Sequence, residues 1–312
     1  MNEKNVKLKF NLDVSGYADF EGRAGEVVSN IFSSSRVLAS IIPQTGIKAN
    51  TSTTLNILDT DVTWSSADCV STETGDNTDL TPRVINVVRL SDRELICLDK
   101  IDAKIPQLQS AGAKNEDLSF ENALVELKVA KNAKALEKLA FQGNITGGTG
   151  NLALADGWLT IAENESADLA YFATSGASNA GTIIADVDAA IAEMTDEMHE
   201  YGATLYMSNA QVAMLSAALV KANLFNFANV TIDNGMMSFQ YPGINLTVIG
   251  TSGMNSGKFI TINDNLSYGT DLDSDKESVE VFYDKYHKEL VSDIVFAAGF
   301  QYKFPSQVIY IK

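Results

Sequence analysis

Residues 118–143 read LSFENALVELKVAKNAKALEKLAFQG, and the rest of the chain is organised around this run. It holds no proline, and no glycine before Gly143. It is rich in Ala, Leu, Glu and Lys, which lose little on entering a helix. Ser119 is placed to act as N-cap, and Glu121 puts a negative charge in the first turn, where the helix dipole favours it. Gly143 stands where a left-handed C-cap residue belongs. At ~1.5 Å per residue the helix spans roughly 35 Å. Its apolar face changes side partway along. Phe120, Ala123, Leu124 and Leu127 cluster early, whereas Val125, Val129, Ala133, Leu136 and Ala140 form a stripe on nearly the opposite side. A helix packed on one layer keeps a single stripe. The pattern therefore predicts a beam lying under one element at its start and another at its end. The plain alternative is a long core helix of any α+β domain.

Upstream, residues 1–45 read as an arm. VKLKFNLDV alternates like a strand, and EVVSNIFSSSRVLASII reads as a short amphipathic helix before Pro43. Ile31, Phe32, Val37, Leu38, Ile41 and Ile42 are too many apolar side chains for a free tail, at ~1.5–3 kcal/mol each when fully buried. They are expected to pack on a neighbouring subunit or on the long helix, so that deleting residues 1–42 leaves a folded but unassembled chain. Residues 46–105 hold two β-rich runs, IKANTSTTLNILDTDVTW outward and TPRVINVVRLSDRELICLDKI back. The tip between them carries Asp68, Glu73, Asp76 and Asp79 and no basic residue. A two-stranded ribbon alone is marginal in water. It is expected to lie against another molecule, with an ordinary hairpin inside a sheet as the alternative.

Downstream, NITGGTGN reads as a joint and residues 182–198 as one helix, with Ile183, Val187, Ile191, Met194 and Met198 on one face. ATLYM reads as a strand, Ser208 or Asn209 as the cap of a helix over QVAMLSAALVKA, and INLTVIG and GKFITIN as two more strands. Residues 180–270 thus form an α+β lobe. The chain then returns to strands in SVEVFYDKY, LVSDIVFAAGFQYKF and QVIYI, whose apolar faces are expected on the long helix. The fold class is α+β, with the lobe inserted into a discontinuous domain of residues 106–179 and 271–312.

Composition narrows the function. Hydrophobic residues at 45% and charged residues at 20% describe an ordinary globular chain. No run reaches the ~18 apolar residues of a membrane span, and the start lacks a signal-peptide core, so cytoplasmic synthesis is expected. Cys69 and Cys97 fit neither a disulfide framework nor a four-ligand zinc site. A net charge of −17 argues against tight binding to phosphate backbones. His199 and His287 are the only histidines, and no HExxH, G-x-S-x-G or CxxC is present. GTSGMNSGKF after a strand fails as a phosphate loop, because Gly253 and Gly257 are one residue too close and Phe259 replaces the hydroxyl. Asp271, Asp273 and Asp275 have calcium-loop spacing, but Lys276 and Phe282 stand where its glycine and glutamate belong. No catalytic, cofactor-binding or metal residue is assigned, and the chain is not expected to be an enzyme.

The order of parts resembles the major capsid proteins of tailed bacteriophages, the Hong Kong 97-type fold. The likeness is strongest in GTDLDSDKESVEVFYDKYHKELVSDIVFAAGFQYKFPSQVIYI, with its aspartate-rich turn, alternating strand, Tyr-Asp-Lys-Tyr turn and long final strand. LTPRVINVVRLSDRELICLDKID is similar to the return strand of the extended loop in capsid proteins of phages infecting the Bacteroides group. The resemblance implies an N-terminal arm (residues 1–45), an extended loop (46–105), a peripheral domain with a spine helix (106–179 and 271–312) and an axial domain (180–270). It also implies hexamers and pentamers in an icosahedral shell around double-stranded DNA, located in the virion and assembled in the host cytoplasm, with a portal protein as partner. An encapsulin-like nanocompartment with protein cargo is the alternative. The arm begins almost at Met1, so any scaffold is expected to be a separate protein. A container for sliding DNA should bind it weakly, which the acidic charge suits.

Lys131, Lys134 and Lys138 share one face of the long helix, opposite the stripe of its second half. In the resembling family the extended loop of one subunit lies across the next. The acidic tip (Asp68, Glu73, Asp76 and Asp79) is therefore expected to meet these lysines on a neighbour, a solvated basic face being the alternative.

Overall fold

The computed structural model describes residues 24–60, 78–97, 120–175, 178–222, 231–233, 236–271, 278–284, 286–287 and 289–312. The chain enters through α1 (Ala24–Ser34) and a strap leading to β1 (Pro43–Gln44), then runs out along β2 (Thr51–Thr60) and back along β3 (Thr78–Cys97). The long helix α2 (Phe120–Gln142) follows, then α3 (Trp158–Asn164) and β4 (Tyr171–Ala173). The lobe contains α4 (Ile183–Ala192), α5 (Asp196–Tyr201), β5 (Ala203–Ser208), α6 (Asn209–Lys221), β6 (Thr231–Asp233), β7 (Met236–Gln240), β8 (Leu246–Thr251) and β9 (Lys258–Ile262). The chain closes with β10 (Leu266–Gly269), β11 (Ser278–Asp284), β12 (Glu289–Tyr302) and β13 (Val308–Ile311).

Two sheets result. The first runs β1-β10-β12-β3-β2, with β11 also paired to β12; the second runs β4-β13-β9-β5-β8-β7-β6. The outer half of β3, residues 78–87, pairs with β2, and its inner half, residues 88–97, pairs with β12. The ribbon is thus continuous with the body. β3 parts from β12 at Gly299, where a Cβ would lie 2.2 Å from the Asn86 carbonyl oxygen, so only glycine lets the strands cross this closely.

Along α2, Ala133, Leu136, Leu139, Ala140 and Phe141 are buried and Val129 packs beside them, whereas Leu127 is 56% exposed. The side chains of Phe120, Ala123, Leu124 and Val125, and all of Ser119, lie outside the described residues. Gly143 is not in the left-handed region. Its Cβ would fall 2.3 Å from the Ala155 carbonyl oxygen, so close approach of the next loop, not backbone sign, selects glycine. The helix expected over residues 182–198 is two, α4 and α5. Thr195 interrupts it because its hydroxyl accepts from the Met198 N–H and caps a new start. Ser208 caps α6 in the same way, accepting from Gln211 N.

The second sheet is covered on both faces. Along β13, Val308 and Tyr310 face the core containing α2 and α3, while Ile309 and Ile311 face the core of α4, α5 and α6. That alternation explains a strand with no polar residue. The three C-terminal strands lie in two sheets, β11 and β12 in the first and β13 in the second between β4 and β9. Yet Phe296 and Phe300 of β12 and Val308 and Tyr310 of β13 share one core with the long helix, as expected. β10, from the segment read as lobe, joins the first sheet beside β12.

Two consequences can be measured. Val27, Val28, Ile31, Phe32, Val37, Leu38 and Ile41 are all buried in this chain's own core, with Phe32 stacked on Tyr268 at 5.4 Å. Seven such side chains contribute roughly 10 kcal/mol or more, comparable to a domain's whole stability. Deleting residues 1–42 is therefore expected to abolish the cooperative thermal transition, not merely assembly; a folded monomer from this truncation would contradict it.

The second consequence concerns Lys258, which is 2% exposed and donates to the Ser178 hydroxyl at 2.7 Å. Burial pulls its amine below the usual lysine value, and Asp186 on α4 only partly opposes this. Between the depressed folded pKa and the ordinary 10.5, the unfolded chain binds a proton that the folded chain does not, so this contribution to stability rises with pH. The difference in unfolding free energy, wild type minus Lys258→Met, should grow more positive from about pH 7 to about pH 10. A difference flat across that range would show an unperturbed amine.

Candidate assembly surface

Two side chains absent from the sequence-based expectations organise the solvent-facing and inner sides of α2. On the outer side, Asp92 and Glu94 sit two residues apart on β3 and share a face, while Lys128 and Asn132 sit four apart on α2 and share a face. The Lys128 Nζ lies 3.1 Å from Asp92 Oδ2 and 2.6 Å from Glu94 Oε2. Asn132 adds a 2.8 Å bond to Asp92. Burial alone would lower the Lys128 pKa, but its bonds to Glu94 and Asp92 outweigh that and raise it, so the amine is held charged. Beside this bridge runs a groove of about 330 Å³ lined by Leu127, Lys131, Ala135 and Asn151. A smaller recess of about 110 Å³ adjoins it over Leu136, Leu139, Leu154 and Phe296.

Lys131, Lys134 and Lys138 are all exposed on α2, with Lys131 on the groove wall. Asp68, Glu73 and Asp76 lie outside the described residues. Asp79 is in β3, opposite Asp59 on β2. Of the arm residues, Ile31, Phe32, Val37, Leu38 and Ile41 are internal, and Ile42 alone is 78% exposed.

On the inner side of α2, Glu137 is 2% exposed yet charged in type. Its Oε2 accepts from Arg36 N at 3.1 Å and from Ser35 Oγ at 3.4 Å; its Oε1 accepts from Thr251 Oγ1 and, at 3.3 Å, from Ser252 Oγ. One carboxylate thereby ties the strap, the long helix and the end of β8. No spacing rule marks it, since it lies amid lysines on a helix that reads as amphipathic.

Among the described residues, no group of three or more His, Cys, Asp or Glu is placed to hold a metal ion, and no helix is long and apolar enough to cross a membrane. Asp271 is buried and accepts from Ala49 N at 3.0 Å, a structural role; Asp273 and Asp275 lie outside the described residues. The phosphate-loop look-alike is the turn from β8 to β9, and its lysine, Lys258, points inward to Ser178. His199 lies in the last turn of α5, and His287 is exposed beside Tyr286 between β11 and β12.

No protein-family model matches the chain, and no curated protein sequence matches it. Solved structures do. A chain of the satellite phage P4 procapsid, a particle that includes the size-determination protein, is similar over 92% of this chain and 89% of its own, with TM-score 0.58 and 12% identity. A chain of the capsid of an empty GTA particle is similar over 90% of each, with TM-score 0.55 and 13% identity. The virus-like particle from Pyrococcus furiosus is similar over 96% of this chain and 100% of its own, with TM-score 0.52 and 11% identity. At such identities what is shared is the fold. The chain has the mixed helix-and-sheet fold of these shell subunits along nearly its whole length.

Proposed function

We propose that this chain is the major capsid protein of a tailed double-stranded DNA bacteriophage, of Hong Kong 97 type, closing into hexamers and pentamers of an icosahedral shell. The observation that carries the reading is near-complete coverage in both directions against chains of capsid particles. In this reading residues 1–45 are the arm, 46–105 the extended loop, 106–179 with 271–312 the peripheral domain, and 180–270 the axial domain. Scaffold and portal proteins are its partners, and the shell assembles in the host cytoplasm. The net charge of −17 suits a wall past which DNA slides without sticking. The likeness to the Pyrococcus furiosus virus-like particle, complete over that chain, favours a second reading: an encapsulin-like nanocompartment with protein cargo.

Assembly against this charge needs directed contacts. Lys131, Lys134 and Lys138 of one copy receive the acidic tip of the next, Asp68, Glu73, Asp76 and Asp79, and exposed Ile42 meets a neighbour at the arm. Each exposed pair contributes only ~0.2–1 kcal/mol, but a closed shell repeats it in every subunit. Negative-stain imaging of the expressed chain should show closed particles, and monomers at every concentration would contradict the shell reading. DNA or a cargo protein inside native particles decides between the two shells. Changing the three lysines to glutamate should stop assembly without altering the circular dichroism of the monomer, and lysines at the four tip positions should restore it. Normal particles from the triple variant would leave the shell reading standing and remove the contact.

A further inference from the structure

The ribbon is tied to the body by two kinds of contact at its root. One is a small apolar cluster of Ile47, Ile85, Val87 and Ala297, with Leu55 packed on it; Ile57, further out on β2, is also buried. Apolar contact is non-directional and holds the ribbon close without fixing its angle. The other is a set of directional bonds centred on Arg83, two residues outward from Ile85. Arg83 Nη2 donates to Glu165 Oε2 at 2.5 Å and to Gln301 Oε1 at 3.3 Å, and its guanidinium lies 4.8 Å from the centre of the Tyr302 ring. Tyr302 OH donates to the same Glu165 oxygen at 2.6 Å, and Gln301 Nε2 donates to the Val84 carbonyl at 3.1 Å. Glu165 follows α3, whereas Gln301 and Tyr302 end β12, so ribbon, helix and sheet meet at one guanidinium.

The place of this set matters. It lies just beyond the crossing at Gly299, where β3 has left β12 and pairs only with β2. From Arg83 to Thr78 is about 17 Å of strand, so a turn of about 10° at the root moves that end by about 3 Å. Nη2 makes both bonds, and the contact of the flat guanidinium with the Tyr302 ring orients it in a way a lysine ammonium would not match. The seat is also incomplete. The buried Arg83 Nε has no hydrogen-bond partner among the described residues, which lowers the cost of leaving it.

We propose that Arg83, Glu165 and Tyr302 form a releasable catch that sets the angle at which the β2–β3 ribbon leaves the body. Resting on the shell reading, the catch thereby sets the curvature at which copies meet. Hydrogen exchange followed by mass spectrometry tests the catch on the unassembled chain. In Arg83→Met and Glu165→Gln, amides of residues 51–60 and 78–87 should exchange at least ~10-fold faster, while those of residues 88–97 stay unchanged. Tyr302→Phe keeps the buried ring and removes only the hydroxyl, so it should show the same pattern more weakly with the fold intact. Unchanged exchange, or an equal rise along all of β3, overturns the catch. Electron microscopy of the same variants reads curvature: a shifted or broadened particle diameter is expected, and wild-type diameters together with a loosened ribbon overturn that half. Failure of the wild type to form particles would count against the shell reading alone, and the exchange data would still decide the catch.

Discussion

Glu137 is the point on which the separate parts of this chain depend. A carboxylate buried to 2% exposure on a helix is costly unless its oxygens are fully engaged, and here two hydroxyls, a backbone N–H and a third hydroxyl converge on it from two other segments. The strap after α1 and the end of β8 both reach α2 there. Removing the acceptor would strand several buried donors at once, which costs more than the bonds themselves contribute. The surrounding aromatic packing reinforces the junction: Phe141, one turn further along α2, meets Trp158 of α3 at 5.0 Å and Tyr206 of β5 at 5.5 Å.

Around that junction the fold sets two sheets and one extended ribbon. The second sheet is closed on both faces by α2 and α3 on one side and α4, α5 and α6 on the other. The first sheet sends its longest strand beyond the body as half of the ribbon. Lys128 braces the outer side of the helix on β3 through Asp92 and Glu94, leaving Lys131, Lys134 and Lys138 turned to solvent. The braced lysine is internal structure, and the row beside it is exposed.

Elements whose pattern is long and local were legible in the sequence. The stripe Val129, Ala133, Leu136 and Ala140 is the buried side of α2, and the runs read as strands became β2, β3, β5, β8, β9, β11, β12 and β13. Short or partner-dependent elements were not. β1, β4, β6, β7 and β10 span two to five residues and exist because a neighbouring strand receives them. The break at Thr195 was written in Thr-Asp-Glu, yet the continuous apolar spacing through Met198 masked it. Glu137, Lys128 and Arg83 were invisible for a different reason. Each acts through residues 34 to 219 positions away, and a single charged letter on a helix or strand carries no mark of such a partner.

The most direct test of the junction is native-state hydrogen exchange across a denaturant series. If Glu137 joins strap, helix and lobe into one body, the protected amides of Ala39 and Ile41, of the second half of α2 and of β8 should open together, with free energies agreeing within about 1 kcal/mol. In Glu137→Ala the strap should separate and open first. A wild-type strap that already exchanges several kcal/mol below α2 would show that the three parts are neighbours and not one unit.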